Sequence, residues 1–213
     1  MNGTTPLNQR YYRNYRLHML REKLKDYHII LASGSPRRQQ FFKELDLDYV
    51  IDVREVEEVY DPQLKGADIT DYLSQLKASV FTNLSEKDIV ITSDTIVWKD
   101  NIAIGKPTSY AEAKQMLFGL SGQMHEVITS VCFTSKNRQK TIHDTTKVWF
   151  KTLTEAEIEY YLDNYKPYDK AGSYGVQEWI GYIAIDRLEG SYFNVMGLPI
   201  QKVYHELKEL LGE

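Results

Sequence analysis

Apolar residues recur along this chain with two different periods, and the switches between them mark its elements. Leu17, Leu20 and Leu24 fall at helical spacing. Ile29-Ile30-Leu31-Ala32 is a short unbroken apolar run of the kind a buried strand needs, and Ser33-Gly34 ends it. Ser35 suits an N-cap and Pro36 the first helical position, so a helix is predicted from Pro36 with Phe41, Phe42 and Leu45 turned inward. Tyr49-Val50-Ile51 predicts a strand that runs into an acidic loop or edge, Arg54 to Glu58. Thr70-Asp71-Tyr72-Leu73 opens a helix with Leu73, Leu76 and Val80 on one face, and Lys77 stands beside that stripe, within reach of a cleft. Ile89-Val90-Ile91 is the clearest buried strand. Its apolar run resumes at Ile96-Val97-Trp98, so Ser93-Asp94-Thr95 interrupts a core strand.

Further on, Ser109 and Glu112 match a capping box and open a helix through Met116 and Leu117 that stops near Ser121-Gly122. Val127, Thr129, Val131 and Phe133 alternate as a strand, residues 136–139 supply a turn, and Ile142, Thr146, Val148 and Phe150 return. Thr154 and Glu157 form a second capping box before a helix with Ile158, Tyr161 and Leu162, which Pro167 ends. A Gly-rich loop at 170–175, a strand around Tyr182 to Ile185, a turn at Glu189-Gly190 and a helix from Pro199 to Leu211 complete the series. Alternating helices and strands without repeats or low-complexity tracts predict an α/β fold, with residues 27–213 as one domain. Residues 1–26 form an extension, disordered from Met1 to about Gln9 and helical in its second half.

At 213 residues and 42% hydrophobic content, the chain can bury one sizeable core, or two lobes sharing a sheet. A formal net charge of −4 disfavours a nucleic-acid polymer as partner, so a basic cluster points to a small anionic substrate. Arg10, Arg13, Arg16 and Arg21 share their segment with Glu22 and Asp26, the mark of a solvated helix face rather than a nucleic-acid arm. The first 26 residues contain no apolar signal-peptide core and no membrane segment is visible, so a cytoplasmic protein is expected. Cys132 is the single cysteine; it excludes an intrachain disulfide and reads as a buried, inert thiol.

The candidate chemistry begins at Leu31 to Arg38, LASGSPRR. A helix N-terminus attracts anions, and cations in its first turn are otherwise unfavourable, so Arg37 and Arg38 imply an anionic ligand unless both are simply solvated. Asp94 must pair with a cation or bind metal, because an unpaired carboxylate in an apolar setting costs several kcal/mol. A buried pair with Lys106, in the rigid Gly105-Lys106-Pro107 loop, is the purely structural alternative. A triphosphate carries about four negative charges and, with one Mg²⁺, leaves about two to neutralise, which a few basic groups can do. Glu57, Glu58, Lys77 and the two arginines therefore suit a nucleotide.

Taken in order and spacing, these segments resemble the Maf family of nucleoside triphosphate pyrophosphatases. The resemblance runs from Ile29 to the last helix. Beyond LASGSPRR it includes Glu57-Glu58, Leu73 through Lys77-Ala78, Ser93-Asp94-Thr95, Gly105-Lys106-Pro107, Leu120-Ser121-Gly122 with His125, Asp169 through Gln177, Gly190-Ser191-Tyr192 and Val195 through Pro199. It implies hydrolysis between the α and β phosphates, assisted by a divalent cation, Mg²⁺ or Mn²⁺. It also implies an elongated mixed sheet with flanking helices and two lobes around a central cleft, similar to inosine triphosphate pyrophosphatases, and suggests a homodimer. By position, Asp94 would be the proton acceptor or a metal ligand, with Glu58 the second metal carboxylate. Ser35, Arg38, Lys77 and Lys106 would line the phosphate end.

Three positions that separate substrate types, Arg37, Thr95 and Gln177, match the dTTP/UTP type rather than the 7-methyl-GTP type. A neutral amide at Gln177 can meet the carbonyls and N–H of thymine or uracil, whereas a cationic 7-methylguanine would favour a carboxylate. His125 has no second histidine at metal-ligand spacing and reads as structural, and Asp169 and Lys170 as loop anchors. The sequence departs from the family pattern at Asp46, a turn often held by glycine, and at Glu178-Trp179-Ile180, where bulky Trp179 is expected to narrow the pocket. The resemblance also suggests housecleaning of the nucleotide pool and a link to cell-division arrest. The rival reading is a non-catalytic nucleotide-binding regulator of cell division, and a third is a general phosphatase. Asp94, Glu58 and Lys106 together favour an enzyme, since a pure binder needs no water-activating carboxylate.

Overall fold

The computed structural model describes residues 19–212. The disorder expected for Met1 to Gln9, and the place of Leu17 in a helix, lie outside them. In chain order the elements are α1 (Leu20–Leu24), β1 (His28–Leu31), α2 (Pro36–Glu44), β2 (Val50–Ile51), α3 (Ala67–Ser79), β3 (Asp88–Lys99), β4 (Ile102–Ile104), α4 (Tyr110–Leu120), β5 (Met124–Thr134), β6 (Gln139–Phe150), α5 (Glu155–Tyr165), α6 (Trp179–Ala184), β7 (Ile185–Glu189), α7 (Tyr192–Val195) and α8 (Ile200–Leu210). A 3₁₀ turn at Ala171–Ser173 lies in the Gly-rich loop.

The strands form one seven-stranded mixed sheet in the order β2-β1-β3-β5-β6-β7, with β4 folded back onto β3. β1 runs parallel to β2 and β3, while β3, β5, β6 and β7 are successively antiparallel. The architecture is thus α/β, as the alternation predicts, and has the mixed sheet with flanking helices that the resemblance implies. Two large cores divide it, with a smaller cluster of Ile69, Leu73, Ile96 and Ile128 between α3 and the sheet. Leu20, Phe42, Ile91, Phe133 and Leu207 gather at one end, and Val97, Leu117, Val127, Ile158 and Ile180 at the other. β3 and β5 pass unbroken through both, so Ser93-Asp94-Thr95 does not end a strand but falls at the junction of the two cores.

Three local differences from the sequence reading have physical causes. α3 begins at Ala67 rather than Thr70, because Gly66 turns the chain at φ 53° and lets Ile69 join Leu73 against the sheet. The box expected at Ser109 is half formed: its hydroxyl accepts from the Glu112 N–H at 3.2 Å, but the Glu112 carboxylate takes the N–H and hydroxyl of Thr108 instead. The strand expected at Tyr182 to Ile185 is α6 as far as Ala184. Its buried pair, Ile180 and Ala184, has helical spacing, and Tyr182 stands 78% exposed.

Candidate active site

A cleft of about 860 Å³ opens between the two cores, walled on one side by Ala32 through Arg38. The apolar run of β1 ends at Leu31, and the chain turns into α2 with Ser35 at the N-cap. The Ser35 side chain makes no capping bond; instead its N–H donates to Ser33 Oγ at 3.3 Å. The Ser35 hydroxyl, beside the positive end of α2, has no hydrogen-bond partner among the described residues.

The two arginines both reach the main chain at 196–197 but otherwise bond different groups. Arg37 donates from Nε to Met196 O at 3.2 Å and from Nη1 to Asp169 Oδ2 at 2.7 Å. Arg38 donates from Nε to Gly197 O at 2.9 Å, from Nη1 to Ser93 O at 3.0 Å and Ser33 Oγ at 3.3 Å, and from Nη2 to Thr95 Oγ1 at 2.9 Å. Four of its five N–H donors thus meet protein acceptors, and the fifth has none among the described residues. Burial lowers its guanidinium to about 10, which keeps it cationic at neutral pH.

Asp94, nearly buried, accepts from Lys77 Nζ at 2.7 Å, and the same ammonium lies 3.0 Å from Glu58 Oε2. The structural alternative of an Asp94–Lys106 pair is overturned. Positions 92, 94 and 96 of β3 share one face, and α3 lies across it: Thr92 Oγ1 donates to Ser74 O at 2.6 Å, and Ile96 packs on Leu73. Lys77 is carried to Asp94 by that helix. Lys106 is exposed on the cleft rim and has no side-chain partner among the described residues. Its loop is anchored at Gly105, whose carbonyl accepts from Gly172 N–H at 3.0 Å.

Toward the Gly-rich loop the cleft is lined by Tyr174, Gly175 and Gln177. The buried Gln177 Oε1 has no hydrogen-bond partner among the described residues. Trp179 does not narrow this space: it packs on Tyr160 at a ring separation of 4.8 Å and is not among the lining residues. His125 has the expected structural role. Its Nε2 meets Tyr174 OH at 2.7 Å between the rings of Phe150 and Tyr174, and burial, with the charge of Lys99, lowers its pKa to about 3. Cys132 is buried as expected. Asp46 adopts the left-handed conformation, φ 56°, that its turn requires.

The sequence reading missed the polar seam that seats α3. Ser130 Oγ donates to Asp71 Oδ1 at 2.5 Å and lies 2.6 Å from Thr70 Oγ1. The signal was available in the small polar residues of an otherwise apolar β5 and of the inner face of α3. Asp94, Ser35, Arg38, Lys77, Lys106, Glu58, Arg37, Thr95 and Gln177 all line the one cleft. Among the described residues no group of three or more His, Cys, Asp or Glu could hold a metal by itself, and no helix is long and apolar enough to cross a membrane.

The Maf-like protein family model matches residues 28–210. A dTTP/UTP pyrophosphatase of Christiangramia forsetii is 60% identical over 195 residues, covering 91% of this chain and 100% of the relative. A dTTP/UTP pyrophosphatase of Flavobacterium johnsoniae is 57% identical over 194 residues, again with 91% and 100% coverage. Among solved structures, the Staphylococcus aureus Ham1 protein aligns over 86% of this chain and 99% of its own, at a TM-score of 0.48 and 14% identity.

Proposed function

This chain belongs to the Maf-like protein family, and from that premise we propose that it hydrolyses dTTP and UTP to the monophosphate and pyrophosphate. The observation that carries the reading is the convergence of Asp94, Lys77 and Glu58 in one cleft with an unpartnered cation, Lys106, on its rim. Asp94 holds and deprotonates the water that attacks the α-phosphate. A carboxylate is a weak base near neutrality, so the charge around the site has to make the water more acidic. Lys77 bridges the two carboxylates in the free protein and can turn to a phosphate oxygen when the triphosphate arrives. Lys106 and the Ser35 hydroxyl at the head of α2 hold the β and γ phosphates and stabilise the departing pyrophosphate.

Asp94 and Glu58 approach one point, now taken by Lys77 Nζ at 2.7 and 3.0 Å. Two carboxylates fit Mg²⁺ or Mn²⁺ only if phosphate oxygens and water complete the shell, which is the usual habit of Mg²⁺ at nucleotides. When bound, such a cation would neutralise phosphate charge and acidify the attacking water.

At the other end, Gln177 Oε1 accepts the N3–H of thymine or uracil and Nε2 donates to a ring carbonyl, with Arg37 and Thr95 completing that wall. A buried acceptor without a protein partner is a strong discriminant, since a base that fails to supply the N–H leaves it unpaired. The test is product analysis over canonical triphosphates and 7-methyl-GTP with Mg²⁺ or Mn²⁺. Pyrophosphate from dTTP and UTP ahead of the others is expected. A preference for 7-methyl-GTP, orthophosphate as the product, or no release at all, as a pure regulator would give, overturns the reading. Asp94→Asn should lower turnover about 10²–10⁴-fold with an unchanged fold by circular dichroism.

A further inference from the structure

Arg37 and Gln177 stand on different elements, and a run of alternating charges joins the segments that carry them. Arg37 Nη1 donates to Asp169 Oδ2 at 2.7 Å, Asp169 Oδ1 accepts from Lys170 Nζ at 2.7 Å, and Lys170 Nζ lies 3.0 Å from Glu178 Oε1. The other Glu178 oxygen accepts from the Tyr161 hydroxyl, which in turn accepts from the Gly175 N–H at 3.1 Å. The Lys170 and Glu178 side chains are only 10% and 19% exposed, so this is no screened surface pair. Removing one member strands its partner in a poorly solvated place. Burial pushes the Asp169 carboxyl up, yet the bonds from Lys170 and Arg37 outweigh it and leave the group below its ordinary value.

The same carboxylate fixes the backbone beside Gln177. A Cβ on Gly175 would lie 2.8 Å from Glu178 Cδ and 3.1 Å from Gln177 Nε2, so Glu178 and the Gln177 amide are packed against one bare stretch of main chain. Gln177 has no bond from its own Oε1 to direct it and takes its orientation from this packing.

We propose that Glu178 is a positioning residue for base selection: through Lys170 and Asp169 it holds Arg37, and through Tyr161 and Gly175 it holds Gln177, so that the two groups keep one separation. The inference rests on the dTTP/UTP reading. Without Glu178, Lys170 keeps Asp169 as its only counter-charge among the described residues and draws it from Arg37. The guanidinium, then held by its Nε bond to Met196 O but no longer by Asp169, loses its fixed place in the base wall, while the reacting groups at Asp94 are untouched. The cost should therefore appear in KM and in discrimination rather than in kcat.

Glu178→Gln keeps the shape and the bond to Tyr161 but removes the charge. It should raise KM for dTTP and UTP about tenfold, as expected for one charged hydrogen bond, and lower the kcat/KM preference for UTP over GTP by a similar factor. Adding Lys170→Met removes the stranded ammonium and should restore most of that preference. An unchanged preference in Glu178→Gln, or no recovery in the double variant, overturns the proposal. A urea double-mutant cycle of Glu178→Gln with Arg37→Met gives a readout independent of turnover. These residues share no bond, so non-additive stabilities support the relay and additive ones overturn it. Absence of pyrophosphate release by the unaltered chain would refute the substrate reading, and the urea cycle would still decide the relay.

Discussion

At the scale of single residues, the informative property is which donors are already spent. LASGSPRR reads as an anion site and lies on the cleft wall, but the sequence does not reveal that Arg38 commits four donors to the protein. Two of its acceptors are main-chain carbonyls, of Ser93 and Gly197, which any residue offers and no motif records. Arg38→Lys replaces a planar fork with a point charge and should cost at least about 2 kcal/mol by urea unfolding. His125 gives a second residue-scale expectation. Its pKa is about 3 in the folded protein and near 6.5 when unfolded, so the unfolded chain takes up a proton first as pH falls. Its contribution is complete above pH 6.5 and is lost from there toward pH 3, by up to about 1.4 kcal/mol per unit. His125→Gln should flatten that part of the profile of Tm against pH.

At the scale of elements, α3 shows how a helix can be seated by polar contacts. Asp94 and Ser130 are register partners on β3 and β5, so their side chains share the face that α3 covers. Thr70, Asp71 and Ser74 dock on that face by hydrogen bonds, which fix where Lys77 projects. Ser130→Ala leaves Thr70 and Asp71 short of a partner and should cost about 1–3 kcal/mol, read by urea unfolding. Most elements were legible because their signals are local: the apolar residues of β5 and β6 and the turn between them mark an antiparallel pair, and Thr154 with Glu157 forms the complete capping box expected. α6 was not legible, since Trp179 through Ile185 is an apolar run that fits a buried strand as well as a helix, and only the packing of Ile180 and Ala184 decides between them.

At the scale of the whole molecule, two apolar cores share β3 and β5, and the polar interruption in β3 lies where they meet. A fold of this kind keeps its cleft at the seam because neither core covers it, so Asp94 can be nearly buried and still face a ligand. The gathering of the candidate residues was legible as a set from their types and order. Their pairings were not: Lys77 rather than Lys106 meets Asp94, because the path of α3 across the sheet is a tertiary fact. The mechanism rests on water attacking the α-phosphate, with pyrophosphate as the leaving group. Hydrolysis of dTTP in H₂¹⁸O, followed by mass spectrometry of the products, tests it most directly. Attack at the α-phosphate gives one ¹⁸O in dTMP and unlabelled pyrophosphate. Label in pyrophosphate, or release of labelled orthophosphate, would contradict it.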